Sequence, residues 1–221
     1  MPTRRSILLA CRALIVLAVQ PVPAQTQPPD ALAKAVQAHY QQVRDFTASF
    51  EQAYVGGALK RRSVERGTVA IRKPGRMRWD YEAPEKKLFI SDGTRMYFYV
   101  PADKQVRVSA LPESGRVPTP ILFLAGRGDL LRDFKAEEVA APGGSPGSRA
   151  LRLRPVRGEP EYDSLTLVVD GESFAMRQLI VVDGQGGTST FSFTNLRENV
   201  GVADSRFLFT IPKGVDVVTQ E

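Results

Sequence analysis

The chain has 221 residues, of which 43% are hydrophobic, and its formal net charge is +6. Its basic residues are dispersed, with no run longer than Lys60-Arg61-Arg62, which argues against nucleic acid as a partner. Cys11 is the only cysteine, so the chain beyond it can form no internal disulfide, no thiol nucleophile and no thiolate metal site.

The first 24 residues have the organisation of an export signal. Arg4 and Arg5 precede an apolar run from Ile7 to Val19, and a group of small residues ends at Ala24, where a signal peptidase would cut. The run is shorter than the roughly 20 apolar residues of a transmembrane helix. We therefore expect cleavage after Ala24 and a single domain over residues 25–221.

Two variants of this signal remain open. The pair Arg4-Arg5 also fits a twin-arginine signal, which exports folded proteins. The segment Leu8-Leu9-Ala10-Cys11 resembles the lipobox at which bacterial lipoproteins are cleaved and acylated, although little hydrophobic sequence precedes the cysteine. A protein cleaved after Ala24 would begin at Gln25 and carry no membrane anchor from its signal, whereas acylation of Cys11 would anchor the protein to a membrane.

The predicted elements begin with a helix and continue as strands. Asp30 is a potential N-cap, and apolar residues recur at helical spacing from Ala31 to Phe46. From Thr47 the apolar period changes to two, which indicates strands, and Asp92-Gly93 is typical of a hairpin turn. Further strands are expected at Val64–Arg72, Arg76–Tyr81, Leu88–Ser91, Arg95–Val100 and Gln105–Ser109.

A continuous apolar segment then interrupts the strands. Thr119 to Ala125 has a proline near its start and glycine just after its end, which favours a short helix over a core strand. We expect another helical turn from Asp129 to Phe134. Strands are expected again at Lys135–Val139, Arg149–Arg154, Ser164–Asp170, Ala175–Asp183 and Thr188–Leu196, with a last alternating piece at Phe207–Ile211. This order predicts a mainly β fold with some α, built as one strongly curved antiparallel sheet with helices on one side.

No catalytic arrangement is evident. His39, the only histidine, lies on the first predicted helix, and no serine has the surroundings of a nucleophile elbow. One histidine without a cysteine in the mature domain is too few for a zinc site. No two acidic residues have the context of a glycosidase pair. We expect neither an enzyme nor a bound metal or cofactor.

Large apolar residues are abundant on the predicted strands. They are Met77, Trp79, Tyr81, Ile90, Phe98, Phe191 and Phe193. Two interpretations remain open: plain core, or the wall of a cavity covered by the apolar helix that contains Ile121, Leu122 and Leu124. Such a cavity would suit acyl chains, because burial of each methylene is favourable by about 0.8 kcal/mol.

Several segments stand in a distinctive order and spacing along nearly the whole mature chain. They are Phe46–Gln52, Arg72–Trp79, Pro84 with Phe89–Gly93, Thr119–Ala125, Phe191–Asn195 and Phe207–Val217. In this combination the sequence resembles the outer-membrane lipoprotein carrier family, LolA type. The resemblance implies an incomplete, half-open antiparallel β-barrel closed by short helices, with an apolar inner surface that binds the lipid part of lipoproteins.

The resemblance also implies a function and partners. Carriers of this type are soluble shuttles in the periplasm that take acylated lipoproteins from an inner-membrane releasing transporter to an outer-membrane acceptor. The matched positions place Met77 and Trp79 on the lipid-binding surface, and Ile121, Leu122 and Leu124 on the lid helix. We expect this chain to act as a monomer.

One position departs from the family pattern. The residue before the proline of the Arg-Pro segment is usually arginine, tied to lid closure and cargo transfer, and here it is Lys73. Lysine keeps the charge but lacks the planar, multi-donor guanidinium. Either Lys73 does the same work less rigidly, or the chain is a divergent carrier with different cargo. Three further hypotheses are a carrier for another envelope lipid or glycolipid, a membrane-tethered acceptor of the same fold, and a lipid hydrolase that uses His39.

Overall fold

The computed structural model describes residues 30–56, 61–111, 126, 129–144, 146–157 and 162–220. Two α-helices lie in this part of the chain, α1 at Ala31–Gln42 and α2 at Leu130–Asp133. The strands are β1 Asp45–Val55, β2 Arg62–Arg72, β3 Arg76–Ala83, β4 Lys87–Asp92, β5 Arg95–Val100, β6 Gln105–Ala110, β7 Phe134–Val139, β8 Ser148–Pro155, β9 Ser164–Asp170, β10 Met176–Val182, β11 Thr188–Glu198 and β12 Asp216–Gln220.

These strands form one sheet in the order β12-β6-β5-β4-β3-β2-β1-β11-β10-β9-β8-β7. Every neighbouring pair is antiparallel except β12 and β6, which run parallel. Strands β12 and β7 are the two edges and do not pair with each other. The prediction of a mainly β fold with an open antiparallel sheet and few helices is confirmed.

Helix α1 packs one side against the sheet. Leu32, Val36 and Tyr40 follow one another at intervals of four residues and are buried, as expected for a helix with one apolar stripe. Side chains from both halves of the sheet join them in a single hydrophobic cluster, among them Met77 on β3 and Leu153 on β8. The sheet therefore curves around α1. The side that faces the helix is called the concave face below, and the other side the convex face.

Helix α1 is shorter than the sequence predicts. It ends at Gln42 rather than at Phe46, because Val43 has extended backbone angles (φ −76°, ψ 113°) and β1 begins at Asp45. Val43 and Phe46 are both buried, so their apolar character fits either a helix or a strand. The Asp45 carboxylate accepts a hydrogen bond from the Gly201 N–H at 2.9 Å. This contact joins residues distant in sequence, and local periodicity does not reveal it.

The C-terminal segment also differs from the expectation. Instead of an alternating strand at Phe207–Ile211, a 3₁₀ turn at Asp204–Phe207 lies against β3 and β4. The Asp204 carboxylate pairs with Arg76 at 3.1 Å, and the Phe207 side chain is buried. The turn covers part of the convex face, and strand β12 follows it along the edge of β6. No strand is expected at β12 from the sequence analysis, although Val217, Val218 and Thr219 in it are β-branched.

Candidate functional site

The register of the sheet decides which apolar side chains share the concave face. Residues directly opposite each other on antiparallel strands point to the same side of a sheet. Trp79 on β3 is opposite Val69 on β2 and Phe89 on β4. Met77 and Tyr81 lie two positions from Trp79 on β3 and so point to the same side. This side is the concave one, since Val69, Met77 and Trp79 belong to the hydrophobic cluster around α1.

Trp79 is at the centre of an aromatic cluster. Its ring centroid lies 5.0 Å from that of Phe50, 5.5 Å from that of Phe191 and 6.2 Å from that of Phe193. The Tyr81 ring lies 4.9 Å from Phe50. The structure thus brings together residues singled out from the sequence on β3 and β11. Phe50 is absent from that set, although its place in the alternating pattern of β1 is a signal for the same face.

Phe98 and Ile90 lie on opposite faces of the sheet. Phe98 is opposite Phe89, so it extends the concave face, where it is half-buried. Ile90 is opposite Arg78 and Tyr97 and therefore lies on the convex face, where it is fully buried. The structure does not bring Ile90 together with the other residues of the expected lipid surface. Strand β4 is apolar at three successive positions, so its sequence carries no alternation that identifies the concave side.

The residues expected in the lid lie outside the described residues: they are Ile121, Leu122 and Leu124. Gly126 follows that segment and is described. A Cβ atom at Gly126 would be 2.8 Å from Cδ of Lys73, so the backbone at Gly126 lies directly against the Lys73 side chain. The position at which the expected lid helix ends is therefore adjacent to the residue expected to control it.

Lys73 connects the turn between β2 and β3 to the end of helix α1. Its Nζ donates a hydrogen bond to the carbonyl oxygen of Tyr40 and lies 5.4 Å from the centre of the Tyr40 ring. Tyr40 is in the last turn of α1, where carbonyl groups lack helical partners and the helix dipole is negative. Burial lowers the pKa of Lys73 to about 8, and the Glu198 carboxylate opposes this shift. One lysine side chain therefore connects the β2–β3 hairpin to the end of helix α1.

The concave face becomes polar beyond Trp79. The Tyr81 hydroxyl donates a hydrogen bond to Gln52 Oε1 at 2.9 Å. Beside it Lys87 and Glu65 form an ion pair, and Lys87 Nζ lies 5.1 Å from the centre of the Tyr81 ring. Burial, and to a lesser extent the Glu65 charge, raises the pKa of the Tyr81 hydroxyl, so this group remains a donor at neutral pH. The four residues form what we call the polar end of the concave face.

Comparison with known proteins assigns this chain to a family. Residues 41–210 match the model of the outer membrane lipoprotein carrier protein LolA. The chain belongs to the LolA family. Its relatives include outer-membrane lipoprotein carrier proteins of Chromohalobacter salexigens, 28% identical over 94% of this chain and 96% of the relative, and of Bordetella pertussis, 32% identical over 80% of each. An uncharacterized conserved protein from Thermus thermophilus, 12% identical, shares the fold with a TM-score of 0.52 over 85% of this chain and 99% of that protein.

The family resemblance expected from the sequence is confirmed, and the LolA family consists of carriers rather than enzymes. His39 is the candidate catalytic residue of the hydrolase hypothesis. In the structure its Nε2 atom lies 3.0 Å from Oε1 of Glu198. Within the described residues no group of three histidine, cysteine, aspartate or glutamate side chains is placed to hold a metal ion. None of the described helices has the length and apolar character needed to cross a membrane.

Proposed function

We propose that this LolA-family chain is a soluble, monomeric periplasmic carrier. It binds the acyl chains of lipoproteins on the concave face and takes them from an inner-membrane releasing transporter to an outer-membrane acceptor. The observation that carries the proposal is the aromatic cluster on that face, in which Trp79 contacts Phe50, Phe191 and Phe193. Acyl chains are held by apolar area without directional contacts, and an aromatic wall on a curved sheet provides that area.

The half-buried residues at the margin of the cluster suit exchange with cargo. Tyr81, Phe89 and Met96 pack against the core while keeping part of their surface open. An acyl chain that covers such a margin gains about 25 cal/mol for each Å² of apolar surface removed from water. The fully buried residues Met77 and Trp79 contribute the floor of the same face. A chain can therefore bind first at the margin and then displace the packing around Trp79.

Lys73 supports a lid function in this proposal. Its side chain lies against Gly126 and holds the Tyr40 carbonyl at the end of α1. A lid that ends at Gly126 would thus be attached to α1 through one lysine. Lysine provides fewer fixed donor directions than arginine, so this carrier would release its lid more readily than a relative with arginine at that position.

The export signal belongs to the same proposal. Cleavage after Ala24 would leave residues 25–221 as one domain, free to diffuse between membranes. Mass spectrometry of the protein isolated from the cell envelope tests this form. A free or cyclised Gln25 at the N-terminus supports a shuttle, whereas an acylated Cys11 would identify a membrane-tethered acceptor.

Binding to a defined lipopeptide tests the proposal directly. The probe is a synthetic peptide whose N-terminal cysteine carries an S-linked glyceryl group with two palmitoyl esters. It is titrated into the purified protein and binding is measured by calorimetry. We expect Phe98→Ser to weaken binding by about tenfold, because a buried phenylalanine contributes about 1.5–3 kcal/mol. Tyr97→Ser is the matched control, since Tyr97 is also a half-buried aromatic residue but lies on the other face of β5. Wild-type protein that does not bind the lipopeptide would refute the proposed function.

A further inference from the structure

The indole N–H of Trp79 is a buried hydrogen-bond donor for which the described part of the chain offers no acceptor. The Trp79 side chain is fully buried, and its Nε1 is the one buried side-chain polar atom for which the described residues supply no partner. An unpaired buried donor costs about 1–3 kcal/mol, and native structures contain few of them. Such a group at the centre of a proposed binding face indicates a role in recognition.

The surroundings of the indole explain why none of the described groups accepts a hydrogen bond from it. Its ring neighbours are Phe50, Phe191 and Phe193, and an aromatic ring accepts an N–H only weakly. The four residues at the polar end of the concave face are already paired with each other. The Tyr81 hydroxyl donates to Gln52, and Glu65 is bound by Lys87.

An acylated cargo brings the acceptor that this site lacks. Its chain is hydrocarbon, but each chain ends in an ester or amide carbonyl, and a carbonyl taken into an apolar site without a donor costs several kcal/mol. Trp79 lies between the apolar part of β3 at Met77 and the polar end at Tyr81. A chain with its methylenes near Met77 and its peptide near Lys87 would place its carbonyl at the indole.

We propose that Trp79 Nε1 donates a hydrogen bond to an acyl carbonyl of the bound lipid anchor, so that this carrier distinguishes acyl chains from plain alkyl chains. The inference rests on the proposed function, because it requires lipid on the concave face. It adds a chemical selectivity that apolar area alone does not give, since hydrophobic burial is not directional.

The experiment compares lipopeptides that differ only in the linkage. One carries palmitoyl chains as esters, and the other carries hexadecyl chains as ethers, which lack the carbonyl. Because Trp79 is the only tryptophan in the chain, the ¹H–¹⁵N spectrum contains a single indole resonance. We expect the indole proton to move downfield with the ester and not with the ether, and the wild-type protein to bind the ester about fivefold more tightly.

Two variants complete the test. The Trp79→Phe variant should bind the ester and the ether with equal affinity, because it lacks the donor. The Phe191→Leu variant, which loses an aromatic contact but no donor, should bind both ligands more weakly by the same factor and so keep the preference for the ester. If neither lipopeptide binds the wild-type protein, the proposed function falls and this inference with it. If both bind with equal affinity and the indole resonance stays in place, only this inference is overturned. If Trp79→Phe does not fold, the indole shift of the wild-type protein with the ester and with the ether still tests whether the hydrogen bond forms.

Discussion

Gly67 is required by the close approach of β2 and β3. A Cβ atom at this position would lie 1.9 Å from the carbonyl oxygen of Asp80 and 3.0 Å from Cε1 of Phe50. The clash with Asp80 involves backbone, so no change of rotamer relieves it. We expect Gly67→Ala to lower the free energy of unfolding by about 1–3 kcal/mol, measured by urea denaturation.

Gly184 provides the control for this substitution. An added Cβ there would meet only Asp163 Oδ1 at 3.9 Å, which is ordinary van der Waals contact. Gly184→Ala should therefore change the free energy of unfolding by less than about 0.5 kcal/mol. Equal stabilities for the two alanine variants would show that β2 and β3 have room to separate at Gly67.

The lowered pKa of Lys73 predicts a pH dependence of stability. The folded protein releases the Lys73 proton near pH 8, whereas the unfolded chain keeps it until about pH 10.5. Between these values the unfolded state binds more protons, so the contribution of Lys73 to stability rises with pH. Below pH 8 both states are protonated, and the contribution is constant at its lowest value.

The measurement is the difference in free energy of unfolding between the wild-type protein and Lys73→Met, followed from pH 7 to pH 10.5. Other lysines and tyrosines titrate in both proteins and cancel in the difference. We expect the difference to be flat up to about pH 8 and then to increase in favour of the wild type. A difference that is flat throughout would mean that Lys73 keeps its ordinary pKa in the folded protein.

At the scale of elements, local patterns predict the strands well where they alternate or end at a clear turn. Arg95–Val100 and Ser164–Asp170 have the bounds that the sequence predicts, because Asp92-Gly93 and Asp170-Gly171 limit them. Strand β12 at Asp216–Gln220 is different. It is held by parallel pairing with β6, a partner more than a hundred residues earlier in the chain. The β-branched residues of this segment favour a strand, but local sequence does not identify so distant a partner.

The candidate site could be predicted only in part, for a related reason. Trp79 and Tyr81 belong to a strand whose alternation shows their shared face, and the structure places them together. Ile90 lies in a strand that is apolar on both sides, so its face depends on pairing with Arg78. Ile90 is buried on the convex face, where the 3₁₀ turn at Asp204–Phe207 lies against β4. That covering is a tertiary arrangement, and the pattern of β4 cannot reveal it.

At the scale of the whole molecule, one sheet has an apolar cluster on each face. The concave cluster surrounds α1 and Trp79. The convex cluster contains the buried side chains of Ile90, Val106 and Phe207, beneath the C-terminal segment. The proposed function assigns cargo to the concave cluster alone. Stability and binding should therefore be separable by mutation of the convex cluster.

Phe207→Ala tests this separation. The side chain is 1% exposed, and truncation of a buried phenylalanine costs about 3–5 kcal/mol. The ion pairs that also hold this segment, such as Arg76 with Asp204, are partly exposed and contribute at most about 1 kcal/mol each. The apolar contact therefore dominates, and we expect a loss of several kcal/mol in the free energy of unfolding.

The comparison variant is Leu208→Ala, whose side chain is 69% exposed and whose loss should change stability by less than about 0.5 kcal/mol. Under conditions where both variants are folded, they should bind the ester lipopeptide within about twofold of the wild type, because neither residue reaches the concave face. A folded Phe207→Ala protein with much weaker binding would show that the convex cluster shapes the lipid surface through the sheet. If Phe207→Ala lowers stability and leaves the affinity unchanged, the cargo binds on the concave face. The C-terminal segment then stabilises the sheet from its convex face without taking part in binding.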